Sequence, residues 1–308
     1  MKKLRSTVTI LAAAILWGTT GTAQAFSPEN SNALSVGAFR MIIGGIILLL
    51  VAMVLEKKHW HDNLRRIGQS SKLRTCLFCG GFAIAMYQPL FFTGVKETGV
   101  AFGTVLAIGS APIFTAVLEI LRGRRPSVIW AVSTLMALIG CYLLYSGRGG
   151  VEVNVKGAMF ALGVGFSYSI YVQSSKAIFE GITRLTANAI IFASGGLLLL
   201  PIVLNVDIGW IFTVNGFAVA MHLGIVTLAL AYSLFAVGLK HVPTSTAVTL
   251  TLAEPLTATI LGVLLFKEVL PPLSIIGICI LFIGLFMSAV PSRVGKGNPK
   301  SQAQESVI

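Results

Sequence analysis

Charge is what this sequence has least of. Of its 308 residues only 11% are Asp, Glu, Lys or Arg, against roughly a quarter in a soluble domain. Acids are the scarcer sign, 11 against 23 bases, which leaves a net charge of +12. With 55% hydrophobic residues and a mean hydropathy of +0.86, the chain carries more apolar surface than one soluble core can bury. That excludes a soluble enzyme and a disordered chain. Only four cysteines occur, all in apolar stretches, so a disulfide scaffold is excluded too. Cys76-Leu-Phe-Cys79 has redox or zinc spacing, but it lacks a second pair and reads as filler in a membrane helix. HExxH, GxSxG, paired intramembrane aspartates and a P-loop are all missing. An enzyme and a built-in ATP motor are therefore not expected, nor is a metal or cofactor. In a soluble protein the basic balance would suggest nucleic acid. Here it asks which side of a bilayer holds the positive charge.

A spanning helix needs about 20 apolar residues. Ten segments qualify, near 6–25, 32–54, 74–95, 99–121, 127–146, 156–176, 186–204, 212–238, 245–266 and 271–290. Ser27-Pro28-Glu29-Asn30, Gly123 to Pro126, Gly147 to Gly150 and Pro271-Pro272 separate several of them. With both termini cytoplasmic, all lysines and arginines fall inside except Arg40 within a span and Lys96, Arg148, Lys156 and Lys267 in outer loops. This asymmetry satisfies the positive-inside rule. Met1-Lys2-Lys3-Leu4-Arg5, the apolar run after it and Ala23-Gln24-Ala25 also match a secretory leader. Retention is expected, because cleavage would remove the partner of the sixth span. Lys57-Lys58-His59-Trp60-His61-Asp62 reads as a basic cytoplasmic loop near anionic headgroups. Trp60, Trp130 and Trp210 read as interface anchors.

The two halves resemble each other. Gly94-Val95-Lys96 matches Gly238-Leu239-Lys240 at 144 residues on, and Gly140 matches Gly284 at the same offset. Ala111-Pro112 matches Glu254-Pro255, and Trp17 matches Tyr168. Each half holds five spans, and five is odd, so the second copy crosses the membrane upside down. The expected fold is an all-α membrane protein of ten transmembrane helices in two inverted five-helix repeats, 1–147 and 152–292, with a cytoplasmic tail over 293–308. Inverted repeats mark secondary transporters with a midplane site between the halves. Pro112 and Pro255 are expected to kink equivalent spans and free carbonyls toward a cavity, or to bend them for packing alone.

Leu16-Trp17-Gly18, Arg40, Ala253-Glu254-Pro255 and Phe266-Lys267-Glu268, in this order, resemble the EamA-type members of the drug/metabolite transporter superfamily. The resemblance runs over about residues 7–291. The first half departs from the pattern, with Arg124-Arg125 where a Gly-Glu-style ending is common and Ser110 in place of the acid before Ala111-Pro112. The resemblance implies a multi-pass plasma-membrane (bacterial inner membrane) carrier of small metabolites, most often amino acids or related compounds moved outward. It also implies a central cavity between spans 1–4 and 6–9, with spans 5 and 10 outside. An importer or facilitator of another small organic solute, nucleotide-sugar or drug-like, is the alternative, followed by a channel or scaffold. The expected partners are a small-molecule substrate, a coupling proton and the lipid bilayer, without nucleic acid. Ser133/Gly140 and Gly277/Gly284, seven apart, suit a close seam within the chain or in a homodimer.

Ionisable side chains are costly inside a bilayer. Glu254 suits a substrate amine or a coupling proton, or a structural pair with a neighbouring helix. Arg40, about 12 Å into its span at 1.5 Å per residue, can clamp a carboxylate, pair with Glu254 or snorkel outward. His222 can relay a proton or sit satisfied in the core. Glu119 near the arginine cluster reads as an interfacial ion pair. Trp17, Tyr87, Gln88, Tyr168, Tyr171 and Tyr232 are candidates to line a cavity for a solute with polar ends, or core packing.

Overall fold

In hydrocarbon each backbone N–H and C=O must find its partner within the segment, which leaves the helix as the only form for these apolar runs. The computed structural model describes residues 2–98, 100–146 and 154–290. The Gly147–Gly150 turn and the 293–308 tail lie outside the described residues. Ten helices among those described are long and apolar enough to cross a membrane. They are α1 Lys2–Ala25, α2 Ala33–Leu55, α3 Ser71–Thr98, α4 Phe102–Leu121, α5 Val128–Ser146, α6 Val155–Ile178, α7 Arg184–Leu204, α8 Val214–Gly238, α9 Thr244–Phe266 and α10 Pro272–Ala289. Short polar side chains start several of them. Asn32 accepts from Leu34 N, Asn154 from Lys156 N and Gly157 N, and Thr213 from Gly216 N, each meeting donors a helix start leaves open.

Three features differ from the sequence expectation. The basic loop after α2 is a helix, Lys57–Gln69, and Asn63 Nδ2 ties it to the hydroxyls of Thr183 (2.7 Å) and Thr186 (3.1 Å) at the start of α7. Trp210 is not an interface anchor. It lies in a 3-10 turn, Gly209–Phe212, fully buried, with Nε1 donating to Ser35 Oγ at 2.9 Å. The third is a wide π-helical turn inside α8, Ile225–Leu230.

Helix pairs come in equivalents. α3 packs on α6 as α8 does on α1, α4 on α6 as α9 on α1, and α3 on α7 as α8 on α2, while α2–α7 and α5–α10 are pairs of counterparts. The register repeats as well. A Cβ on Gly94 would lie 3.3 Å from Gly157 O, and one on Gly238 would lie 2.7 Å from Ser6 O. A Cβ on Gly18 would lie 2.8 Å from Glu254 O, while Ser169 Oγ in the matching place donates to Ala111 O at 2.9 Å. The small residues of α5 and α10 meet each other. A Cβ on Gly140 would sit 2.7 Å from Gly277 O, one on Gly284 2.8 Å from Ser133 O, and Ser274 Oγ donates to Leu144 O. This seam lies within the chain.

Candidate functional site

The two proline positions act differently. α4 runs through Pro112 without a break. α9 is divided into Thr244–Leu250 and Ala253–Phe266, because Pro255 has no N–H to offer the carbonyl of Thr251. Glu254 N donates to Thr251 O instead, at 2.9 Å, closing a tighter turn. The break brings Thr251 and Glu254 to the wall of a cavity of about 40 Å³ at mid-membrane. α1 contributes Trp17, α2 Arg40, α3 Tyr87, α6 Tyr168 and α8 Tyr232, and α4 supplies the floor of Ala107, Ile108 and Ala111. Trp17 and Tyr168, equivalent in the repeat, face it together.

Arg40 is held by the wide turn of α8. A π-turn shifts the hydrogen-bond ladder by one residue and leaves carbonyls available. Thr227 lies in this turn, and its carbonyl accepts from Arg40 Nη2 at 3.1 Å. Arg40 Nε is buried and unpartnered. Among the described residues no hydrogen bond or ion pair joins Arg40 to Glu254, and no hydrogen bond ends on the Glu254 carboxylate. Arg40 and Glu254 thus face one small cavity without a direct hydrogen bond or ion pair between them among the described residues. Two further donors there, Trp17 Nε1 and Tyr168 Oη, are buried with no partner. Unpaired buried polar groups cost stability unless something fills them, and this wall carries several of them. At this volume the space accepts a few waters.

Rings stabilise the far side of the cavity. Trp17 and Tyr232 lie 4.7 Å apart between centroids, Tyr232 and Phe192 4.4 Å, and Tyr87 and Tyr168 6.3 Å. These offset and tilted contacts hold side chains at fixed places without a hydrogen bond. Three expected residues stand elsewhere. Tyr171 is fully buried one layer behind, against Phe192 and Tyr232. Gln88 is turned toward α2, where its Oε1 would lie 2.8 Å from a Cβ on Gly37. His222 shares a hydrogen bond with Thr19 Oγ1 at 2.9 Å in an apolar groove between α1, α8 and α9, apart from the central cavity.

Two carboxylates at the arginine-rich end were not expected as they are found. Among the described residues Glu119 forms no ion pair. It accepts from both the backbone N–H (3.0 Å) and the hydroxyl of Thr244, capping α9, and it is buried. Gln173 Nε2 reaches the same hydroxyl at 3.2 Å, and Arg122 donates to Gln173 Oε1 at 2.8 Å. Glu56, at the end of α2, caps α7 through the Thr186 N–H (3.0 Å) and hydroxyl (2.6 Å) and the Thr183 hydroxyl. Each carboxylate stands on the first half and holds a helix start of the second. A clue lies in the sequence: α7 and α9 open on Thr183 and Thr244 with no acid of their own in the first turn.

The description "EamA-like transporter family" matches residues 4–146 and again 155–290. The chain is 43% identical over 290 residues to YwfM of Bacillus subtilis, named an uncharacterized transporter, with 92% of this chain and 94% of that one covered. It is 28% identical over 211 residues to the threonine/homoserine exporter RhtA of Escherichia coli K12, covering 64% and 69%. A solved structure described only as a crystal structure of a protein shares the fold, with a TM-score of 0.75 at 21% identity over 92% of this chain and 96% of that one. The chain therefore belongs to the EamA-like transporter family, as a ten-span protein of the bacterial inner (plasma) membrane.

Proposed function

We propose that the chain is a secondary carrier of amino acids or closely related zwitterions, working outward by alternating access. The observation that carries this is the unpaired Arg40–Glu254 couple on one mid-membrane cavity. An amino acid presents a carboxylate and an ammonium group a few bonds apart. Arg40 suits the carboxylate, since a guanidinium fork matches its two oxygens, and Glu254 suits the ammonium. Trp17, Tyr87, Tyr168 and Tyr232 offer an apolar wall to the side chain. With the termini cytoplasmic, as the lysine and arginine bias favours, the Glu56 and Glu119 caps close the cytoplasmic end. Their release, with that of the Asn63 and Arg122 contacts beside them, would let the halves part on that side, and the cycle involves no covalent step. Outward direction rests on the likeness to the threonine/homoserine exporter.

The test is flux in proteoliposomes, with labelled threonine, homoserine and a panel of other amino acids, against empty vesicles, with and without a pH gradient. Saturable flux of an amino acid, lost in Glu254→Gln and in Arg40→Gln, is the expected result. Stimulation by the gradient adds proton coupling; indifference to it makes the protein a facilitator. Absence of flux for every amino acid, with the protein correctly inserted, would overturn the substrate class.

A further inference from the structure

A second and much larger recess lies at the end of the bundle that carries the arginine-rich loop. It measures about 790 Å³ and is bounded by the start of α1, the α4–α5 loop, the end of α6, the α8–α9 loop and the end of α10. Its charge is one-sided. Lys3, Arg124, Arg125 and Lys240 line it, and among the described residues none of these four side chains has a hydrogen bond or an ion pair. Lys176 is there too, held to Val242 O at 3.0 Å. Among the described residues the wall holds a single acid, Glu119, hydrogen-bonded to Thr244. Among the described residues the recess is therefore a concave surface with a clear excess of positive charge, five cations against one carboxylate. The low-dielectric walls on both sides strengthen the attraction for an anion.

The rim decides which anion. On the α5 side it is formed by Val128 and Ile129, 79% and 48% exposed, and on the α10 side by Met287. These residues stand near the ends of membrane-spanning helices, where exposed apolar surface suits acyl chains better than water. Trp130 stands between rim and recess, its Nε1 donating to Thr249 Oγ1 at 3.0 Å, in the amphipathic position tryptophan takes at an interface. A free phosphate would answer the cations and leave the apolar rim unmet. A phospholipid with an anionic headgroup answers both. We infer that this recess binds the phosphodiester headgroup of an anionic phospholipid from the cytoplasmic leaflet, with its chains along α5 and α10. Basic pockets between membrane helices on that side select such headgroups. The inference shares with the transport reading only the orientation of the termini, and its test does not depend on flux.

The full chain, purified in detergent, is offered phosphatidylglycerol and phosphatidylcholine in equal amounts. Retained lipid is read by native mass spectrometry, and stability by thermal unfolding. Phosphatidylglycerol is expected to stay bound at least tenfold in excess over phosphatidylcholine and to raise the melting temperature by a few degrees. The triple variant Arg124→Gln, Arg125→Gln, Lys240→Gln is expected to lose that preference with its lipid-free melting temperature unchanged. Equal retention of the two lipids, or an undiminished preference in the triple variant, would overturn the site. Glycerol 3-phosphate and inorganic phosphate are run in parallel. If either at millimolar concentration displaces phosphatidylglycerol and reproduces the thermal shift, the ligand is a soluble anion and the lipid assignment fails. Removing three charges can disturb insertion, so the wild-type chain is also labelled with photoactivatable phosphatidylglycerol. Adducts on the segments around 124–130 and 286–290 are expected; adducts only elsewhere refute the placement.

Discussion

Arg40 illustrates how a side chain can be oriented by one hydrogen bond and keep donors to spare. Arg40 spends one N–H on the Thr227 carbonyl and keeps the rest of its fork toward the cavity. Lysine in its place retains the charge but has no planar fork. Arg40→Lys is therefore expected to reduce transport about tenfold or more, since losing one charge-assisted hydrogen bond costs about 1.5–3 kcal/mol and 1.4 kcal/mol is a factor of ten. Initial-rate flux measured at matched protein insertion checks this, and wild-type flux in Arg40→Lys would remove the fork from the recognition. Glu254→Gln keeps the shape and loses the anion. It is expected to abolish flux of zwitterions while leaving thermal stability within about 0.5 kcal/mol, as no partner is stranded by the change. Both residues were legible in the sequence, because an ionised group inside an apolar run is conspicuous. What the sequence hid was their relation. An ion pair between them was an open alternative, and only the π-turn of α8 shows what Arg40 holds instead.

At the scale of elements, the long apolar runs and the small residues seven apart made the spans and the α5–α10 seam readable. Other features lay below that level. Trp210 reads as an interface tryptophan by composition, and only the fold tucks it under α2 against Ser35. The Lys57–Gln69 helix is too polar to be seen by hydropathy, and its anchor is the distant pair Thr183 and Thr186. Gln88 and Tyr87 are neighbours in sequence, yet only Tyr87 reaches the cavity, because α-helical neighbours point about 100° apart. Two expectations follow. Excising one residue from Ile225–Leu230 converts the wide turn to regular α-helix with its flanks in register. Helicity by circular dichroism is expected to be kept, while transport falls with the loss of the Thr227 acceptor. Gly140→Ala is expected to destabilise by about 1–3 kcal/mol through overpacking against α10, read as a drop in detergent melting temperature. Gly21→Ala, where a Cβ would meet nothing within 4 Å, serves as the neutral control.

For the whole molecule, the caps at Glu56 and Glu119 are among the contacts that must break if the halves separate at that end, beside Asn63 on Thr183 and Thr186 and Arg122 on Gln173. Glu119→Gln leaves a weaker acceptor for the Thr244 N–H. The substitution is expected to shift the population toward opening on that side. A single engineered cysteine, Thr251→Cys, with Cys76, Cys79, Cys141 and Cys279 replaced, reports it. Labelling by a membrane-impermeant thiol reagent from the cytoplasmic side is expected to quicken several-fold in Glu119→Gln. An unchanged rate would make the cap a purely local fixture. Orientation has its own check: a cytoplasm-specific reporter fused after Ile308 is expected to be active.

The repeat is closer in backbone than in chemistry. α4 passes Pro112 intact beside Ser110 and Ser169, whereas α9 breaks at Thr251 and presents Glu254. If each facing state arises by the halves exchanging shapes, one state asks of α4 what the other asks of α9, and the two helices do not yield equally. The empty protein then has a preferred side on which to wait. That resting bias, rather than the cargo, sets which leg of the cycle is slow, and net passive flux of cargo into an empty compartment across an unenergised membrane will have unequal maximal rates in its two directions, with half-saturation shifted in proportion.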